Sequence, residues 1–101
     1  MFDRLEDLAR SLEEINMQLT DPDVINDQNK YRELMKEQSE LTPIVEKYQE
    51  YRAAKDGIEE SLQMLEEEND EEMRELAKEE LAECRDTVEK CEQELKILML
   101  P

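Results

Sequence analysis

The chain is 101 residues long, enough for one domain at the small end of what buries a substantial core. Charged residues make up 43% and apolar residues 38%, with one Gly, three Pro and no Trp, so Leu, Glu, Lys, Met and Ala supply helices while strand formers are too scarce for a sheet. Thirteen Lys and Arg stand singly among thirty Asp and Glu, for a net charge of -17, which argues against a direct nucleic-acid grip and favours basic protein partners.

The opening Met1-Phe2-Asp3-Arg4-Leu5-Glu6-Asp7 places acids where a signal peptide carries cations followed by an apolar stretch. The longest uninterrupted apolar run, Ile97 to Leu100, is far short of the roughly 20 residues that span a bilayer, so a cytoplasmic protein without membrane contact is the default expectation. Leu5, Leu8, Leu12, Ile15 and Leu19 recur at spacings of three and four, which predicts a helix over about 3–19. Pro22 stops it, and Asp21 is positioned to cap a loop or single helical turn around Val24 and Ile25.

Asp27 is the expected N-cap of a second helix over about 27–41, carrying Tyr31, Leu34, Met35, Gln38 and Leu41 in phase. Thr42-Pro43 then offers a cap with proline at the first helical position, so a third helix over 43–67 either starts afresh or continues through a kink. Its expected seam is Ile44, Tyr48, Tyr51, Lys55, Ile58, Leu62 and Leu65. Asn69 with Glu72 has the form of a capping box opening a last helix over 70–100. That helix carries the clearest signal, with Ala77, Leu81, Cys84, Val88, Cys91, Leu95 and Leu98 alternating four and three. Glu6 with Arg10, Asp86 with Lys90 and Glu92 with Lys96 add acid-before-base pairs four apart.

The short acidic corner from Glu66 to Glu72 folds the last two helices into an antiparallel pair. The first helix then covers their seam, giving a single all-α domain, an elongated antiparallel hairpin or three-stranded coiled-coil bundle. A longer hairpin that dimerises would bury the same stripe.

Catalysis needs a nucleophile or acid-base pair in a water-excluding cleft, and a chain with no His, one Gly and no pocket-forming topology is not expected to be an enzyme. Catalytic, cofactor-binding and metal residues are therefore each expected to be none. Cys84 and Cys91 lie seven apart on one helix, about 10 Å of rise against the roughly 7 Å a disulfide tolerates, so they read as small apolar seam residues, with an interchain disulfide as the alternative. The corner holds six acids in seven residues and reads as a solvated turn or as a docking tip for a basic partner.

Lys55 in the seam either snorkels to water or specifies register, and Gly57 either permits close helix approach or marks a weakened stretch. The final Ile97-Leu98-Met99-Leu100-Pro101 leaves apolar residues without a polar C-cap, which reads as a cut end of a longer protein whose side chains seek a neighbouring chain, a homodimer of the fragment included.

The run Glu72-Met73-Arg74-Glu75-Leu76-Ala77-Lys78-Glu79-Glu80-Leu81, the ending Leu95-Lys96-Ile97-Leu98-Met99-Leu100-Pro101, Leu41-Thr42-Pro43-Ile44-Val45 and the opening heptads resemble the amino-terminal helical domain of bacterial class I peptide chain release factors. The leucine-rich ending with proline is closer to the member that reads UAA and UAG than to its UGA-reading sister. The resemblance implies a parent protein that directs translation termination on the ribosome and promotes peptidyl-tRNA hydrolysis, with this domain as a peripheral arm near the base of the large-subunit stalk. It also implies cooperation with the class II release factor GTPase. The family's Gly-Gly-Gln motif and codon-reading tripeptide are absent from these residues, so no catalytic or decoding role carries over. A free-standing structural or chaperone-like coiled coil is the competing reading.

Overall fold

The computed structural model describes residues 3–101, and Met1 and Phe2 of the opening segment lie outside the described residues. The backbone forms four α-helices: α1 (Asp3–Gln18), α2 (Pro22–Ile25), α3 (Gln28–Glu67) and α4 (Glu71–Leu98). Among the described residues there is no strand, and no helix is long and apolar enough to cross a membrane.

The helices begin and end where local chemistry can replace missing backbone hydrogen bonds. At the end of α1, the Thr20 hydroxyl donates to the Met17 carbonyl at 2.7 Å. Asp21 accepts from the Asp23 N–H at 3.0 Å and Pro22 takes the first position of α2, where an absent N–H costs nothing. Asp27 accepts from the Lys30 N–H at 3.2 Å, capping α3 as its position predicts.

Two of the expected helices are one. α3 runs for 40 residues through Pro43 without a break, so of the two readings the helix continues and the spans 27–41 and 43–67 merge. Proline removes the N–H that the Ser39 carbonyl would accept. Ser39 and Pro43 are both exposed, so water can satisfy that carbonyl, and the Thr42 hydroxyl donates to the Gln38 carbonyl at 2.6 Å.

Contacts divide the chain into two compact units, Met1–Glu46 and Lys47–Pro101. In the first, the chain folds back on itself through α2. The Gln38 amide donates to the Asn16 side-chain oxygen at 2.6 Å, and Leu5, Leu12, Ile15, Val24 and Val45 are buried. Leu8 and Leu19 are half-buried on the same stripe, as the α1 periodicity predicts, while Tyr31 and Met35 of α3 are exposed. On the surface, Arg10 pairs with Asp7.

In the second unit, the carboxyl half of α3 and α4 form the antiparallel hairpin that the sequence predicts. Three contacts fix its register: Lys47 with Glu94 at 2.6 Å, Gly57 against Cys84, and the Arg74 guanidinium on the Leu65 carbonyl. From α4, Ala77, Cys84, Cys91 and Leu95 are buried and Leu81 and Val88 half-buried, whereas Leu98 is exposed.

The α3 seam is rotated by one residue from its expected path along part of the helix. Tyr48, Tyr51, Ala54 and Ser61 are buried, while Lys55 and Leu62 face solvent. Burying the Lys55 ammonium would cost several kcal/mol of hydration. Its Nζ instead lies 5.5 Å from the Tyr51 ring centroid.

The small residues that take the seam also let the helices approach. A Cβ built on Gly57 would lie 2.5 Å from the Cys84 Sγ, so this glycine permits the close helix approach.

Candidate functional site

The tip of the hairpin is built by three side chains that tie up the ends of α3 and α4. Arg74 Nη1 donates to the carbonyls of Leu65 and Glu68, the latter at 3.1 Å, so α4 itself supplies the cation that covers the carboxyl end of α3. Glu68 Oε1 accepts from the N–H groups of Asn69 and Asp70 at 3.1 and 3.0 Å. Asp70 Oδ2 accepts from the Met73 N–H at 3.1 Å and is the N-cap of α4.

The capping box expected of Asn69 and Glu72 is therefore corrected. A carboxylate at position 70 is the stronger acceptor at a positive helix end, and it starts α4 one residue later. Glu68 and Asp70 of the acidic corner thus act on the backbone, and Glu71 and Glu72 follow in the first turn, where the helix dipole favours them.

Beside the corner, residues of α3 and α4 line a shallow open groove of about 370 Å³. Its apolar lining comes from Met64, Met73, Leu76 and Ala77, and its polar lining from Glu60, Ser61, Glu79, Glu80 and Glu83. Met64, Met73 and Leu76 are 38%, 42% and 58% exposed. Leu76 also borders a second groove along α4 with Glu71, Glu72, Glu75 and Glu79. No Lys or Arg lines either groove: Arg74 is held on backbone carbonyls, and Lys78 lies 3.3 Å from Glu75.

The corner acids stand out in the sequence more plainly than Met64, Met73 and Leu76 do. A signal was present, because Met73 and Leu76 sit one position ahead of the phase set by Ala77, Leu81 and Cys84. Apolar residues off the seam of an otherwise regular heptad point outward.

The remaining reactive groups of the unit are quiet. Burial pushes the Cys84 thiol above its ordinary range, helped by the hydrogen bond it donates to Glu80 Oε1 at 3.4 Å. Burial likewise raises Cys91, followed by the charge of Glu50. Both cysteines are free, and thiols held protonated are poor nucleophiles.

Lys47 is held well above the ordinary lysine range by hydrogen bonds to Glu94 and Glu50, so it remains a cation. Lys90 is raised by its bond to Asp86 at 2.9 Å, the pair expected from the acid-before-base spacing. Among the described residues, no buried side-chain polar atom lacks a hydrogen-bond partner. The groove at the tip has an apolar floor and an acidic rim.

The chain is 57% identical over its full 101 residues to peptide chain release factor 1 of Agathobacter rectalis, 48% to that of Clostridioides difficile and 43% to that of Bacillus licheniformis. It spans 28% of the length of each of these relatives, in their amino-terminal portion. No solved structure matches the chain significantly. The PCRF domain matches residues 8–101, nearly the whole of both units, and the chain belongs to the PCRF domain family.

Proposed function

We propose that this chain is the non-catalytic helical arm of a peptide chain release factor, and that it helps to hold the factor on the ribosome during termination at UAA and UAG while other parts read the codon and promote peptidyl-tRNA hydrolysis. The observation that carries this reading is the 57% identity to peptide chain release factor 1 along every residue of the chain. The side chains agree with it: buried, protonated thiols, capped helix ends and an acidic, partly apolar tip suit contact and not bond-making.

The arm lies near the base of the large-subunit stalk, works alongside the class II release factor GTPase, and acts in the cytoplasm. Self-association of the isolated chain runs through Ile97 and Leu100, which are 68% and 69% exposed, and sedimentation at rising concentration tests it.

A reconstituted termination assay tests the main reading. Ribosomes stopped at UAA are given a full-length factor carrying these residues, the same factor lacking them, or the 101-residue chain alone. Loss of the arm should lower kcat/KM more than kcat, because a positioning element acts on association. Peptide release by the chain alone, or an unchanged kcat/KM without it, defeats the reading.

A further inference from the structure

Met64, Met73 and Leu76 form the exposed apolar lining of the groove beside the hairpin corner, and the acids around it are not matched by any lining cation. Methionine is unbranched and adapts to varied apolar partners, which suits it to a binding floor. Apolar side chains grouped along one open groove, rather than scattered singly, offer a surface that a partner can cover. The α4 residues from Met73 to Glu83 that line the groove extend over about 15 Å, or three turns of a helix laid along them.

We propose that this face binds one cationic amphipathic helix of a partner protein. Its apolar stripe, recurring at three and four, rests on Met64, Met73 and Leu76, and Lys or Arg on its flanks reach Glu60, Glu79 and Glu83. Charge complementarity selects this occupant. RNA would meet carboxylates, and a second copy of the chain would bring another net charge of -17 to the same acids. The proposal deepens the reading of the chain as a contact arm and rests on it.

The test uses the 101-residue chain and an amphipathic Leu/Lys peptide of about 18 residues with its leucines on one helical stripe, followed by amide NMR shifts. A shuffled peptide of identical composition is the control. The amphipathic peptide should shift amides over 60–64 and 73–83, and Leu76→Ser should weaken it about tenfold, as loss of a central apolar anchor does. Glu83→Lys should weaken it less and flatten its salt dependence. Leu76 is 58% exposed, so the variant should keep its helical circular dichroism.

Equal binding of the shuffled peptide would overturn the proposal, since charge alone would then suffice. So would shifts confined to other surfaces, preference for an RNA oligonucleotide, or self-association displacing the peptide. Carrying Leu76→Ser into the termination assay separates this proposal from the arm reading. If removing the arm lowers kcat/KM while Leu76→Ser leaves both peptide binding and kcat/KM unchanged, the groove fails and the arm stands.

Discussion

Along the hairpin of α3 and α4, the end near Lys47 and Leu95 and the end near the 68–70 corner follow one heptad logic yet treat their apolar side chains in opposite ways. Near Lys47, Tyr48, Tyr51, Cys91 and Leu95 are buried, Leu95 and Cys91 to within 1% of full burial, and Lys47 spans Glu50 and Glu94. Near the corner, Ser61 and Ala77 are the buried residues, while Leu62, Met64, Met73 and Leu76 face solvent. The stretch from Lys47 to Tyr51 with Cys91 to Leu95 therefore keeps its apolar side chains for folding, whereas the corner leaves its own in water; past Leu95, Ile97 and Leu100 are exposed again. The corner is held by backbone caps from Glu68, Asp70 and Arg74, which need no apolar core.

This contrast can be broken most directly at Leu95. Leu95→Ala should destabilise the fold by about 2–5 kcal/mol, seen as a lower denaturation midpoint, because a fully enclosed side chain leaves a cavity. A loss no larger than a surface substitution gives would remove the distinction between the two ends.

Gly57→Ala probes the waist between them. The 2.5 Å approach to the Cys84 Sγ should cost about 1–2 kcal/mol net of the better helix propensity of alanine. In a Cys84→Ala background, where that sulfur is gone, the same change should stabilise by about 1 kcal/mol. Identical effects in both backgrounds would show that close packing is not what glycine provides.

Arg74→Ala removes the cation from the Leu65 and Glu68 carbonyls and should cost about 1 kcal/mol, with hydrogen exchange accelerated in the last turn of α3.

The thiols add a pH signature. Their folded pKa values lie above the ordinary 9.0, so the folded chain holds these protons more tightly than the unfolded one. Their contribution is complete below pH 9.0 and is lost as pH rises through the folded values, so Cys91→Ala should flatten the alkaline fall in the denaturation midpoint.

The smallest effect belongs to the tip: Leu76→Ser should change stability by no more than about 0.5 kcal/mol. A cost like that of Leu95→Ala would mean that the tip is core after all.

The elements most legible in the residues are those governed by local periodicity and capping. The α1 stripe of Leu5, Leu12 and Ile15, the α4 stripe of Ala77, Cys84, Cys91 and Leu95, and the caps at Asp21 and Asp27 all act over a few residues, so spacing alone reveals them. The apolar strip at the tip was less legible, because a heptad shows which residues share a face and not how far along that face a neighbour extends.

What the sequence determined by itself is an acidic, all-helical chain that folds back at short polar corners, since charge, propensity and period are properties of the residues. Tertiary structure alone decided that α3 passes through Pro43 and that Ala54 and Ser61 displace Lys55 and Leu62 from the seam. Each of these choices turns on whether a carbonyl or a charge ends in water or against another helix, and that is settled only when the partner surface is in place.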